Sequence, residues 1–248
     1  MKKIKYALLA LLAIFTVVVT GCKNPEDQSG STGSNLTKIT SVSDFEKDPL
    51  YLSGNANTSS SYGTSDFTRK VSYYIYYYLE NGKLYSQNYG WVEITYADTS
   101  KEKETYWVKD GESTELSFTD GKIAGATMCK LGDTYFMYTE SSENVYSRVS
   151  GSGLYSTFEY TEDDISSKLT FKDDGTATLE NTYSDSDGNT QTASMPLTYK
   201  NNNGLIFLYL NVNGTEVPGN MYYDGSAIYQ AFIFEEVSAL PTLKESTE

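Results

Sequence analysis

The chain has 248 residues, no histidine, two cysteines and a formal charge of −14. Without histidine, the Ser-His-Asp and Cys-His arrangements, histidine-ligated zinc and the commonest acid–base group are all excluded. So large an acidic excess also opposes binding to nucleic acid or docking on anionic headgroups, since both need Lys and Arg against phosphate.

The chain opens with the basic Met1-Lys2-Lys3-Ile4-Lys5, runs apolar from Tyr6 to Val19 and ends the run on small residues. This is the three-part pattern of a secretory signal, predicted over 1–21. The apolar run falls short of the roughly 20 residues that span a bilayer. Val19-Thr20-Gly21-Cys22 resembles the lipobox of bacterial lipoproteins. That resemblance implies diacylglycerol on the Cys22 thiol, cleavage before it, and a mature protein held to a membrane by several acyl chains, enough for stable anchoring. Lys23 follows the cysteine, so the acidic inner-membrane retention signal of some bacterial lipoproteins is absent. The implied location is the cell envelope, with the body outside the cytoplasm and the outer membrane or cell surface favoured. Loss of Lys2, Lys3 and Lys5 leaves 16 basic against 33 acidic residues, a net charge near −17.

Residues 22–41 read as a lipidated flexible tether: Asn24-Pro25-Glu26-Asp27-Gln28-Ser29-Gly30-Ser31-Thr32-Gly33-Ser34 has no large apolar residue and spans roughly 25 Å root-mean-square. Ser43-Asp44-Phe45-Glu46 predicts a capped helical turn before Pro49.

From 42 to 237 the pattern is strands and turns. Tyr, Thr, Val, Ile and Phe alternate between turn pairs: Asn81-Gly82, Asp110-Gly111, Asp120-Gly121, Asp174-Gly175, Asp187-Gly188, Asn213-Gly214 and Asp224-Gly225. Asn and Asp before Gly suit hairpin turns because they tolerate positive φ. The expected fold is all-β, an antiparallel up-and-down barrel of about ten to twelve strands, followed by a flexible tail over 238–248. One continuous barrel is preferred, since neither half has an evident way to close its edges; Ser150-Gly151-Ser152-Gly153 marks the alternative sub-boundary near 150. From Leu154 onward a resemblance to lipocalin-like domains of bacterial envelope lipoproteins appears. It is carried by Lys168-Leu169-Thr170-Phe171-Lys172-Asp173-Asp174-Gly175-Thr176-Ala177-Thr178-Leu179 and by Leu197-Thr198-Tyr199 through Gly204-Leu205-Ile206-Phe207. The Gly-x-Trp signature of true lipocalins is missing, because Gly90 and Trp91 are adjacent. The likeness implies a meander barrel and ligand carriage, and transfers no functional residue.

With Cys22 lipidated, Cys129 is the remaining thiol, expected as a buried small hydrophobe in Ala126-Thr127-Met128-Cys129-Lys130-Leu131. Asp185-Ser186-Asp187-Gly188-Asn189 alternates oxygen ligands as calcium loops do, but Thr190 and Pro196 stand where an EF-hand needs Gly and Glu; a hairpin tip is expected and no metal. No phosphate-binding loop or other cofactor motif is present, and the expectation is a protein that is not an enzyme.

The most distinctive segment is Val71-Ser72-Tyr73-Tyr74-Ile75-Tyr76-Tyr77-Tyr78-Leu79-Glu80, the pair Asn81-Gly82, then Lys83-Leu84-Tyr85-Ser86-Gln87-Asn88-Tyr89-Gly90-Trp91. A two-residue turn sets Glu80 opposite Lys83, Tyr78 opposite Tyr85, Tyr76 opposite Gln87, Tyr74 opposite Tyr89 and Ser72 opposite Trp91. Alternation then gathers Tyr74, Tyr76, Tyr78, Tyr85, Tyr89 and Trp91 on one side, which Trp107 extends if its strand lies next door. Such tyrosines either stabilise the sheet as cross-strand pairs or form an aromatic wall for amphipathic molecules or sugar rings. These six are the candidate ligand-binding residues. The leading expectation is a non-enzymatic, membrane-anchored binding protein for a small amphipathic ligand or an envelope or host partner. The alternatives are a surface adhesion module without a cavity and, more remotely, a carbohydrate-active enzyme.

Overall fold

The computed structural model describes residues 36–140, 145–162, 165–185, 188–212 and 215–244. The signal, Cys22 and the tether as far as residue 35 lie outside the described residues, as do Ser186 and Asp187 of the oxygen-rich turn, the Asn213-Gly214 pair and residues 245–248.

Strand formers separated by glycine turns give an antiparallel, nearly all-β chain. The strands are β1 (Leu36–Ile39), β2 (Leu50–Gly63), β3 (Phe67–Glu80), β4 (Lys83–Tyr96), β5 (Glu104–Leu116), β6 (Phe118–Thr119), β7 (Lys122–Ile123), β8 (Ala126–Leu131) and β9 (Thr134–Thr139). They continue as β10 (Val145–Gly151), β11 (Ser156–Glu162), β12 (Ile165–Phe171), β13 (Thr176–Ser184), β14 (Thr190–Asn202), β15 (Leu205–Val212), β16 (Thr215–Tyr223) and β17 (Ala227–Val237). The antiparallel barrel expected from the sequence is present, built from eight of these seventeen strands. The described contacts divide the chain into two units, 137–232 and 36–136 with 233–244.

In the first unit β10 to β17 pair in sequence order, and β10 closes on β17 through Val145↔Tyr229, Tyr146↔Ile228 and Ser147↔Ala227. Closure leaves no edge strand among the eight. The two hairpins that carried the lipocalin-like resemblance are here. β12 and β13 turn at Asp174-Gly175, where the Asp174 carboxylate accepts the Thr176 N–H at 2.9 Å. β14 and β15 turn at Asn203-Gly204 with positive φ at both residues. Inward residues follow the alternation of the pleat, as Ala177, Leu179 and Asn181 do along β13. The interior is filled by buried side chains, among them Phe158, Leu169, Phe171, Leu179, Leu197, Ile206 and Leu208, as an eight-stranded barrel just wide enough for its own side chains allows.

In the second unit β2, β3, β4 and β5 form an antiparallel meander of long strands, with Glu235–Val237 of β17 along β2. β1 pairs with β8, and Cys129 on β8 is fully buried, its thiol pushed up to about 11 by burial. The helical turn expected near Ser43 is a single 3-10 turn, Val42–Asp44. Its N-cap is Ser41, two residues earlier than the sequence suggests, and the Asp44 carboxylate accepts the N–H groups of Thr40 and Ser41 at 2.7 and 3.0 Å. The tail expected to be flexible from 238 returns to β5, where Leu243 bridges Trp107 and Lys244 meets Glu104 at 3.1 Å.

Candidate ligand-binding face

Every pairing expected of the aromatic hairpin is found. Asn81 and Gly82 hold φ of 54° and 72°, values that match the right-handed strand twist and fix a two-residue turn. Asp48 secures the turn by accepting the Asn81 and Gly82 N–H groups at 3.0 and 2.6 Å. From there the register runs Glu80↔Lys83, Tyr78↔Tyr85, Tyr76↔Gln87, Tyr74↔Tyr89 and Ser72↔Trp91. β5 lies beside β4 with Trp91↔Trp107, so Trp107 does join the face.

Trp107 is the hub of the cluster. Its ring lies 5.1 Å from Tyr74, 6.2 Å from Tyr76, 6.5 Å from Tyr89 and 5.0 Å from Trp91. The first three contacts are edge-to-face, the arrangement the ring quadrupoles favour. Tyr76 and Tyr89 pack edge-to-face at 5.0 Å, and Tyr78 stacks on Tyr85 at 5.1 Å and on Tyr51 at 6.4 Å. The six predicted residues divide in two. Tyr76, Tyr78 and Tyr89 are buried, 5–9% exposed, whereas Tyr74, Tyr85 and Trp91 are half-buried, as is Trp107. Burial raises the Tyr76 and Tyr89 hydroxyls above their ordinary pKa. The buried three form a base on which the half-buried four stand.

The two faces of this meander differ in chemistry. Leu50, Leu52, Val71, Leu79, Leu84 and Val92 lie on the side away from the Trp107 cluster, with Tyr73, Tyr77 and Tyr106 among them, and the six aliphatic residues are nearly fully buried. On the aromatic side the registers of β2 to β5 place tyrosines, tryptophans and hydrogen-bonding residues such as Ser53, Asn55, Ser72, Glu93, Thr105 and Lys109, with no aliphatic side chain. Gly90 belongs to the aliphatic side, where a Cβ would stand 2.9 Å from Val71 and 3.1 Å from Val108.

Sequence reasoning missed two members of the site. Tyr51 on β2 faces Tyr78 and donates to Glu80 at 2.6 Å. Gln87 is 1% exposed and anchors the neighbouring strand. Its amide Nε2 points to the carbonyls of Asn88, Asp110 and Gly111 at 2.9–3.1 Å, and its Oε1 accepts the Ser113 hydroxyl at 2.8 Å. This corrects the reading of Asp110-Gly111, which is no hairpin turn. Gly111, φ 74°, starts an outward excursion within β5, and the register jumps from Asn88↔Asp110 to Ser86↔Thr114. A glycine at positive φ serves such a bulge as well as it serves a reversal.

The rim is polar. Glu93 lies below its ordinary pKa, chiefly through the hydrogen bond from Lys103 at 2.6 Å. At the turn end of the hairpin Asp48, Pro49, Tyr51, Glu80 and Asn81 line an open cleft of about 350 Å³. Tyr51 is shared by cleft and face. Among the described residues no group of three acidic or cysteine side chains is placed to hold a metal. No protein-family profile, curated protein or solved structure matches the chain.

Proposed function

We propose that the protein is a cell-envelope lipoprotein, lipidated on Cys22 and held to a membrane, whose folded part binds a ligand through the aromatic face of β2–β5 without chemical turnover. One observation carries the binding half: Tyr74, Tyr85, Trp91 and Trp107 stand half-buried on a base of buried tyrosines, on a face to which β2–β5 contribute no aliphatic side chain. Tyr and Trp give large, stiff contact surfaces at low entropic cost, and their polar atoms can engage the ligand edge. The anchor half rests on the sequence Val19-Thr20-Gly21-Cys22.

The anchor is tested by metabolic labelling with palmitate, which should mark the chain and be lost in Cys22→Ser; equal labelling of the variant refutes it. The binding half is tested with Tyr74→Ser and Trp91→Ala. Both should unfold cooperatively and lose capture of envelope-derived small molecules or glycans. Tyr76 and Tyr89 are unsuitable for that test, because their burial makes loss of fold and loss of binding inseparable. Cooperative variants that retain full capture remove the aromatic face from the account.

A further inference from the structure

We infer that the ligand is a neutral polysaccharide chain lying across β2–β5, its ring faces on Tyr74, Trp91 and Trp107 and its hydroxyls on the polar rim; the inference rests on the binding reading proposed above. Four ligand chemistries could meet an aromatic surface, and the residues separate them.

An acyl chain or an amphipathic helix is matched by a continuous aliphatic surface, and the four strands reserve their aliphatic side chains for their other side, at Leu50, Leu52, Leu79 and Leu84, leaving Val237 beside Tyr51 and Leu243 beside Trp107 at the edges of the aromatic side. Single-stranded nucleic acid also stacks on aromatic platforms, but only beside a positive groove that tracks its phosphates. Here Lys83 is paired with Glu115 at 3.1 Å and Lys109 with Glu112 at 3.5 Å, Lys70 stands opposite Glu93, and Glu80 adds a further carboxylate to the same face, so these cations are matched by carboxylates and form no positive groove. An anionic glycan meets the same obstacle on a chain of formal charge −14. A neutral sugar matches what the face offers and lacks the charge it repels. Its apolar C–H faces fit ring faces, and its hydroxyls fit side chains that both donate and accept, of which Ser53, Asn55, Ser72 and Thr105 lie on the aromatic side.

The dimensions favour a chain over a single ring. Tyr85 to Trp91 is six steps along β4, roughly 20 Å, and β2 to β5 is three strand spacings, roughly 14 Å. The cleft beside Tyr51 adds the Glu80 carboxylate at one end of that track.

Trp91 and Trp107 are the two tryptophans of the whole chain, so tryptophan emission reports on this face alone. The experiment is affinity electrophoresis of the full chain through native gels containing mixed-linkage β-glucan, galactomannan, dextran or the anionic polygalacturonate. Anilinonaphthalene sulfonate serves in parallel as a non-sugar amphipathic probe. The expected result is retardation by at least one neutral polysaccharide and by no anionic one. Trp107→Ala and Trp91→Ala should each weaken it at least about tenfold, with Trp107→Phe, which keeps a ring, in between. Urea unfolding of each variant separates lost binding from lost fold. If all three neutral polysaccharides leave mobility unchanged while the amphipathic probe binds and loses affinity in the same variants, the sugar assignment is overturned and the binding face stands. If neither polysaccharide nor probe responds to the variants, both fall together.

Discussion

Replacement of Gln87 by leucine tests whether the aromatic face depends on a buried polar plug. The side chain is 1% exposed, and its two amide hydrogens are shared among the carbonyls of Asn88, Asp110 and Gly111, while its carbonyl accepts from Ser113. Two donated bonds and one accepted bond, at about 0.5–1.5 kcal/mol each, put roughly 1.5–4.5 kcal/mol at stake. Leucine recovers roughly 1 kcal/mol by apolar burial, and Asp110, Gly111 and Ser113 lie on an exposed excursion where water replaces part of the loss. The expected destabilisation is therefore about 2 kcal/mol in urea unfolding of the full chain. Gln87→Glu should be worse at neutral pH, because an ionised carboxylate would point at carbonyl oxygens. Burial would raise its folded pKa above the unfolded value, so that penalty should shrink as pH falls and the carboxyl gains a proton. A leucine variant within about 0.5 kcal/mol of the parent, or a glutamate variant insensitive to pH, would refute the plug.

Two further predictions concern the barrel and two hairpin turns, one in each unit. Gly204→Ala should cost about 3 kcal/mol or more, because φ is +96° and the new Cβ would stand 2.6 Å from the Tyr223 carbonyl; Gly82→Ala, φ +72° in open space, should cost only about 1 kcal/mol, and equal losses by urea titration would refute the steric argument. Tyr146 is buried against Ser167 at 2.9 Å, and burial pushes its hydroxyl from 10.0 up to about 12; its folded value is the higher one, so its contribution is complete below pH 10 and is lost as pH rises toward 12. Tyr146→Phe should flatten barrel stability across that window, and an unchanged alkaline slope would contradict the assignment.

The sequence made the hairpin legible because a two-residue Asn-Gly turn pins every later pairing: once Glu80 meets Lys83, the placement of Tyr78, Tyr76 and Tyr74 follows from alternation. The site beyond β3 and β4 was less legible for local reasons. Tyr51 reaches its place across a register shift between Asn55 and Ser59, and a shift of one residue reverses a side chain's face. Trp107 arrives after the irregular stretch 97–103, which carries no turn signal of fixed length. Asp110-Gly111 misled because positive φ marks a bulge and a reversal alike. Barrel closure of Val145 on Tyr229 joins strands far apart in sequence, and nothing local announces such a pairing. Composition made the all-β class plain and gave no way to count which strands would close.

The most direct test of the binding face is tryptophan emission of the full chain, titrated with the neutral polysaccharide that retards it in native gels and read with and without an external collisional quencher. Binding across Trp91 and Trp107 predicts a saturable spectral shift together with protection from the quencher, both abolished in Trp107→Ala. Saturable retardation in the gel with no change in emission or quenching would place the ligand elsewhere on the molecule and contradict the account.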